Sequence, residues 1–448
     1  MKAYEKAKAM GSGQLIDEIA ANGLLEFGAD RTPVADKWKL VNEARELQTN
    51  PIRVVAGLNN SDMNGALLTI LKENPDKVLE GMQIAALAVD AEEMYLYLPE
   101  WEEVYARALE EKAASYGVQI RTGIVNVRES RGGAFHHIET VAVLADLLEE
   151  SREQTAGQTD GSVGDSGHDM VIVQEGLSGN GMTVVQKGLS GTCLAVCRNG
   201  ITGPLQWVPY GTRLTDLITG QDGETDLTTL KAIAVGTRLY DAATALDMVI
   251  RPDTRTGNGV VTLYDSECCM IHEAEQVLAA ERRHSCGKCT FCREGLIQLH
   301  TMMKEITLGQ GKKNFVEMMT EIGEAMTFST LCSMGQTASD FTMGTLRFFS
   351  SEYNDHIRKK KCANNVCSAF QSIYVDPNAC QGCEECADVC PKNAIEGRKG
   401  YIHMIDEFEC NKCGKCLEVC ESDAIVQTAG RVPKLPTRLT KVGKFRKR

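Results

Sequence analysis

A chain of 448 residues with 43% hydrophobic content is long enough for two to four domains and carries no apolar run approaching the ~20 residues a membrane helix requires. A net charge of -13 excludes general nucleic-acid binding, which needs a basic surface. Eighteen cysteines, most of them bunched in the last third, exclude a disulfide scaffold and read as metal ligands in a reducing, oxygen-poor cytoplasm.

The N-terminus, MKAYEKAKAMGSGQLIDEIA, interleaves charge with small residues and has no apolar h-region, so no secretory signal is expected and the chain is placed in the cytoplasm. Helical spacing in IDEIAANGLL (16–25) precedes the short β-branched run PIRVVAG (51–57). MQIAALAVD (82–90) reads as a helix leading into the strand MYLYLP. Residues 1–148 are therefore expected to form an α/β layer on a parallel sheet. The stretch EESREQTAGQTDGSVGDSGHD, rich in Gly, Ser, Thr, Gln and acids, marks 149–169 as a linker.

From 170 to 260, strand-like TCLAVC and LKAIAV sit between Gly-rich turns, and VPYGTRLTDLI (208–218) passes from a turn into a helix, as in a small α+β module. Residues 261–356 carry helical periodicity in LIQLHTMMKEI and NFVEMMTEIGEAM, the pattern of a helix bundle. Residues 357–433 are compact and poor in regular structure. A basic tail (434–448) closes a stretch, Arg431 to Arg448, with eight basic residues and no acidic one; it is expected to be a solvated tail.

The sharpest signal is CQGCEECADVC (380–390) repeated as CNKCGKCLEVC (410–420). A tight loop can set three thiolates on three irons of a cubane, while the fourth corner faces away and is met by another segment. The spacing Cx2Cx2Cx3C, with Pro391 after the first run, resembles bacterial two-cluster ferredoxins, whose fourth cysteine serves the other cluster. Cys380, Cys383, Cys386 and Cys420 are thus assigned to one [4Fe–4S] cluster, and Cys390, Cys410, Cys413 and Cys416 to a second. Zinc sites usually pair two CxxC elements and fit this arrangement less well. Upstream, SCGKCTFCREG supplies Cys286, Cys289 and Cys292, and Cys332 in TLCSMG is a distant fourth ligand for a third cubane, with Arg293 placed to temper its negative charge.

SCGKCTFCREG with the later LCSMG resembles the signature of the NADH- and FMN-binding subunit of respiratory complex I, shared with diaphorase subunits of NAD-linked hydrogenases, formate dehydrogenases and bifurcating oxidoreductases. The resemblance runs from about Ile16 to Asp355. VPYGTRLTDLI looks like the VPFGTPLRELI of the family's ubiquitin-like module, of soluble-ligand-binding β-grasp type. NPDKVLEGMQIAALAVDAEEMYLYL (74–98) looks like NPHLLIEGMIIAAYAIGAKKGYIYI. The implied fold is a flavin-domain-like α/β unit, a ubiquitin-like α+β module, a helical-bundle iron–sulfur domain and a two-cluster ferredoxin-like domain.

The flavin motifs depart from the family. Its loop GLRGRGGAGFPTGLKW is replaced by GLLEFGADRTPVADKW (23–38), which keeps Gly23 and Gly28 but places Glu26, Phe27, Ala29, Asp30 and Arg31 where glycines would let backbone N–H groups reach the FMN phosphate. An unpaired carboxylate beside a buried phosphate is costly. ADEGEPGTFKDR becomes GLNNSDMNGALL (57–68), and CGEETAL is deleted, since SRGGAFHHIETVAVLADLL (130–148) runs straight on.

The resemblance therefore implies an electron-transfer subunit of a cytoplasmic oxidoreductase complex that relays single electrons through three [4Fe–4S] clusters, without its own FMN or NADH site. Partners would be subunits carrying flavin, molybdenum or tungsten, or iron–sulfur centres, with soluble ferredoxin as a further one; bond chemistry would sit on them. The alternative is an NAD(P)H-oxidising FMN diaphorase with a rebuilt pocket whose polar contacts would be Arg31, Asn59 and Asn60. A third reading is an assembly factor with bracing clusters.

Among smaller features, His136 and His137 are expected at the surface for want of a nearby carboxylate, and Arg131-Gly132-Gly133 as a turn. Cys193 and Cys197 are expected as buried thiols on a strand, and Cys268 and Cys269 as packing. Cys362 and Cys367 are read as structural, since two thiols cannot complete a cubane.

Overall fold

The computed structural model describes residues 2–47, 50–58, 60, 64–125, 132–150, 190–222, 225–429 and 432–445. Residues 151–169 of the proposed linker, Asn59 and Arg131 lie outside them, while 149 and 150, expected to open that linker, close helix Ile138–Glu150. Among the described residues no helix is long and apolar enough to cross a membrane.

The chain divides into two compact units. The first comprises Met1–Asp265, Ala280–Glu294 and Ala325–Phe341; the second comprises Ser266–Ala279, Gly295–Glu324 and Thr342–Arg448.

In the first unit, strands β1 (Arg53–Gly57), β2 (Glu93–Leu98), β3 (Val118–Thr122) and β4 (Ala134–His137) form a sheet in the order β3-β2-β1-β4. Every pairing is parallel, as the α/β reading expects. Helix Lys2–Asn22 reaches back beyond the expected start at Ile16 and breaks its dihedrals at Gly11, where φ is 73°. Helix Pro75–Val89 starts on a proline, whose missing N–H costs nothing at a helix start, and ends on Asp90 in the left-handed region. It crosses helix Ile138–Glu150 at Gly81, where a Cβ would lie 1.7 Å from the carbonyl oxygen of Val141. Two helices can approach this closely only without a side chain at that position. The core between sheet and helices gathers Leu15, Ile19, Trp38, Val54, Leu79, Met82 and Leu144, all essentially inaccessible.

The second sheet contains β5 (Gly191–Arg198), β6 (Ile201–Thr202), β7 (Gln206–Pro209), β8 (Leu230–Val235), β9 (Arg238–Asp241) and β10 (Val260–Asp265). Its order is β6-β5-β10-β8-β9, with β7 also pairing with β5. β10 runs parallel to β5 and antiparallel to β8. Asn199 and Gly200, both at positive φ, make the tight turn between β5 and β6. β5 is covered on both faces: Cys193 joins the first core, while Leu194 and Val196 join the core under helix Leu214–Asp222. Cys193 and Cys197 are buried, as expected of strand thiols.

Helices Met270–His284, Thr290–Thr307, Phe315–Ser329 and Asp340–Phe348 account for the helical periodicity read between 261 and 356. In the second unit, β11 (Ser372–Val375) pairs with β14 (Ile425–Thr428), and β12 (Ile395–Glu396) with β13 (Met404–Ile405), all antiparallel. The cysteine repeat is also a backbone repeat. Positive φ recurs at Gly382 and Lys412, at Glu384 and Gly414, and at Asn393 and Asp423. The short helices Glu385–Asp388 and Lys415–Glu418 follow the middle pair. Within these turns Cys380, Cys386 and Cys416 are buried.

Candidate metal centres and the loop at residues 23–38

Within the first unit, Cys286 and Cys289 lie in the turn ahead of helix Thr290–Thr307, Cys292 in its first turn, and Cys332 immediately before helix Ser333–Thr337. Gly287, at φ +68°, lets the ligand turn reverse. The Cys292 thiol is pushed up to about 11, first by burial and then by the charges of Cys332, Cys289 and Cys286, against a bond with Ser285. The Cys332 thiol is likewise raised by burial, against hydrogen bonds from the N–H groups of Gly335 and Met334. Cys332, Cys289 and Cys286 each oppose ionisation of Cys292, and a cationic metal core held by the four would relieve that repulsion. Arg293 donates to Gly287 O at 3.1 Å and to Glu294 at 2.9 Å, so it buttresses the ligand turn.

In the second unit, burial pushes the Cys386 thiol up to about 12, helped by Cys380, Cys383, Cys420 and Cys416. For Cys416 burial is again the first cause, followed among the thiols by Cys410, Cys413 and Cys390. A small cavity is lined by Cys390, Cys410, Cys413 and Cys416, with Ile373 and Ile405 on its apolar side. Backbone N–H groups turn toward sulfur: Ala394 to Cys390 at 3.3 Å, Lys412 to Cys410 at 3.4 Å and Ala424 to Cys420 at 3.2 Å. Burial raises the Cys420 thiol, but bonds from Ser422, Ala424 and Ile425 outweigh it and the net shift is downward. N–H groups aimed at sulfur stabilise thiolates and are one of the devices that set cluster potentials. Soft, deprotonatable, clustered donors fit iron–sulfur chemistry, so these residues suit the group that their spacing implies. Cys383 and Cys413 are exposed, giving each set an edge at the surface.

The loop at 23–38 folds inward on Glu26, which is 1% exposed. Its carboxylate accepts from Lys37 Nζ at 2.8 Å, from the backbone N–H of His137 at 2.8 Å and from Thr140 Oγ1 at 2.5 Å. His136 Nδ1 lies 2.8 Å from the same carboxylate, and Trp38 Nε1 donates to His136 Nε2 at 3.0 Å. Because Nε2 accepts, Nδ1 carries the ring proton and donates to Glu26. Lys37 also binds Asp30 at 2.9 Å and Phe135 O at 2.9 Å. Burial raises the Glu26 carboxyl, but Lys37 and His136 outweigh it and hold it well below the usual carboxylate range.

The expectation of surface histidines is thereby corrected. His136 and His137 are 0% and 2% exposed, and the carboxylate missing from their sequence neighbourhood comes from Glu26, more than a hundred residues earlier. Burial holds the His137 ring down at about 4. Arg31, at φ 55°, packs over Phe27 and donates to Tyr210 Oη at 3.2 Å. Asn60 spends its amide on the backbone of Val125, donating at 3.0 Å and accepting at 2.9 Å. Gly23 and Gly28 both have positive φ. Gly132 and Gly133 form a turn just ahead of β4, and a Cβ at Gly133 would lie 1.9 Å from Arg53 O, a close backbone approach. A cavity of about 280 Å³ lies beside the loop, lined among others by Asp30, Lys37, Asn60, Gly133 and Cys332.

A fourth cluster of ligating groups was not legible in the sequence. Cys269, His356, Cys362 and Cys367 are all buried, with one donor atom from each lying within 4.8 Å of the others. Their positions span almost a hundred residues, and the one local hint was His356 standing six residues before Cys362.

Residues 272–356 match the family model described as the NADH-ubiquinone oxidoreductase-F iron-sulfur binding region, and residues 372–421 match the 4Fe-4S dicluster domain. The HndC subunit of the NADP-reducing hydrogenase of Solidesulfovibrio fructosivorans is 31% identical over 205 residues, which cover 44% of this chain and 42% of the relative. This chain thus spans less than half the length of that relative. The F-type subunit of the NADH-quinone oxidoreductase of Streptomyces coelicolor is 23% identical over 390 residues, 80% of this chain and 86% of the relative. Among solved structures, NAD+-reducing [NiFe]-hydrogenase in the H2-reduced state shares the fold, with a TM-score of 0.58 and 18% identity over 80% of this chain and 65% of that one. The chain carries 4Fe–4S-binding regions and resembles F subunits of NADH-quinone oxidoreductases and the HndC subunit of an NADP-reducing hydrogenase.

Proposed function

We propose that this chain is an electron-transfer subunit of a cytoplasmic, oxygen-sensitive oxidoreductase complex, relaying single electrons through three [4Fe–4S] clusters and lacking its own FMN and NADH site. Bound clusters would supply reversible one-electron oxidation and reduction. Cys286, Cys289, Cys292 and Cys332 would hold the first; Cys380, Cys383, Cys386 and Cys420 the second; Cys390, Cys410, Cys413 and Cys416 the third. The exposed edges at Cys383 and Cys413 support electron exchange with a partner subunit carrying flavin, molybdenum or tungsten, or iron–sulfur centres, or with soluble ferredoxin.

The observation that carries the loss of flavin is the closure of the 23–38 loop on Glu26. Its carboxylate satisfies Lys37, the N–H of His137 and Thr140, groups an anion would otherwise recruit, and the negative Asp30 stands beside them. An FMN phosphate entering here would have to displace a buried, paired carboxylate.

The runner-up, an NAD(P)H-oxidising flavoprotein, draws on the cavity bordered by Lys37, Asn60 and Cys332, although its volume of about 280 Å³ falls just below the ~300–1,000 Å³ common for ligand sites. Anaerobic purification with iron, acid-labile sulfide and extractable flavin quantified per chain separates the two. About twelve irons without stoichiometric flavin supports the relay. Bound FMN with NADH-dependent bleaching of the clusters would refute it.

A further inference from the structure

We infer that the turn from Asp406 to Cys410, in the second unit, is the docking point for a protein electron partner whose surface offers an apolar pocket rimmed by Lys or Arg, with Phe408 as the anchor that fills it; this rests on the electron-relay reading above. Phe408 is 98% exposed and stands two residues ahead of Cys410, and Cys413 of the same ligand run is exposed as well. A single solvated apolar side chain is ordinary. What sets this one apart is how it is held, what its counterpart is, and which charges surround it.

Asp406 Oδ1 accepts from the backbone N–H of Phe408 at 2.8 Å and of Glu409 at 3.4 Å, and Cys410 N donates to Asp406 O at 3.0 Å. The ring therefore sits at the tip of a fixed turn, and a partner that covers it gains apolar burial without first ordering the backbone. The repeat supplies an internal comparison. In DPNAC (376–380) Asp376 Oδ1 accepts from Asn378 N at 2.9 Å, and Cys380 N donates to Asp376 O at 3.0 Å. That tip has the same bonds and carries an exposed asparagine. Turn geometry thus makes no demand for an aromatic ring, and Phe408 is the departure.

Charge selects the partner. Asp406, Glu407 and Glu409 are exposed around the ring, while Lys412 spends its amine on Ala369 O at 3.1 Å. The opposite sign collects on another edge of the module. Residues 440–445, expected as part of a solvated tail, instead dock: Ile402 N donates to Thr440 O at 2.8 Å, Val442 N donates to Gly400 O at 3.2 Å, and Phe445 packs against the module's core. This brings exposed Lys441 and Lys444 to the segment that follows exposed Arg398 and Lys399. Gly400 N in turn donates to the carbonyl of Gly382, in the first ligand run, at 2.9 Å. A basic-rimmed partner is steered toward the acidic aromatic tip and away from the basic edge, whereas an acidic carrier is repelled from the tip. With the ring seated, Cys410 and Cys413 lie at the contact. The set Cys390, Cys410, Cys413 and Cys416 would then hold the cluster that gives one electron to the partner's centre or takes one from it, and no bond is made or broken.

The test is site-specific photo-cross-linking of the full chain in cells that make its complex, with Phe408→p-benzoylphenylalanine or, separately, Asn378→p-benzoylphenylalanine, followed by sequencing of the adducts. Expected is an adduct from position 408 to another subunit, at an apolar segment flanked by Lys or Arg, and about tenfold less from position 378. In parallel, the anaerobically purified, reduced chain is oxidised by cytochrome c, a one-electron protein acceptor with a lysine-rimmed face. Phe408→Asn should slow this step about tenfold at low ionic strength, and the wild-type rate should fall as salt rises. Because Phe408→Asn copies the residue that the matching tip already holds, its iron content should equal that of wild type and serves as the folding control. An adduct from position 408 to a second copy of the chain, to an acidic segment or within the same chain would overturn the inference, as would none at all. Equal oxidation rates for wild type and Phe408→Asn would overturn it too. A chain without reducible clusters that still gave the basic adduct would refute the relay and support the docking point.

Discussion

Replacing Glu26 by Gln keeps the shape of the hub and removes its charge. Lys37, whose side chain is 18% exposed, would then face only Asp30, which is 32% exposed and so a weaker counter-charge. Removing one partner of a buried pair typically costs about 3–5 kcal/mol. With Asp30 still in place, Glu26→Gln is expected to destabilise the first unit by about 2–3 kcal/mol. The sign with pH follows from the depressed carboxyl of Glu26: its contribution is fully present above the ordinary glutamate value and is lost as pH falls toward the folded-state value. The variant should therefore differ most near neutrality, and the gap should narrow in acid. Urea unfolding read by Trp38 fluorescence, in a Trp101→Phe/Trp207→Phe background, measures this, because Trp38 is fully buried and bonded to His136. The double variant Glu26→Gln/Lys37→Met should recover most of the loss, since the one charge left without its partner, Asp30, is 32% exposed and reaches solvent. A Glu26→Gln protein within about 0.5 kcal/mol of wild type at pH 7 would mean that the pair is not an electrostatic hub.

Gly81→Ala adds a Cβ 1.7 Å from Val141 O, so helices Pro75–Val89 and Ile138–Glu150 must part. Melting monitored by circular dichroism should show a loss of about 3 kcal/mol or more despite the better helix propensity of alanine. Glu281 is buried, and its carboxyl is pushed up to about 8 first by burial and then by Asp340. Its raised value means stability is lost as pH climbs from about 4.5 to 8, so Glu281→Gln should be more stable by about 3 kcal/mol at pH 7 and indistinguishable below pH ~4.5 in a denaturation series. Cys390→Ala should remove about four irons and extinguish the electron paramagnetic resonance signal of the cluster held by Cys410, Cys413 and Cys416. Loss of the signal shared by Cys380, Cys383 and Cys386 instead would refute crossed ligation.

The sequence by itself determined whatever is encoded over a few residues. Cysteine spacing at 286–292, 380–390 and 410–420 sets the loop geometry of the candidate ligands, because a short loop leaves three thiols few ways to point. The β-branched run at 51–57 and the helix before MYLYLP likewise declare a parallel α/β layer through local periodicity. Tertiary structure decided what depends on distant partners. His136 and His137 look like surface residues until β4 carries them against Glu26, and Cys269 looks like packing until His356, Cys362 and Cys367 close around it. Neither arrangement has a sequence period. A buried carboxylate or a metal site is assembled from groups whose only common property is arrival at one point in space, and only the folded chain fixes that point.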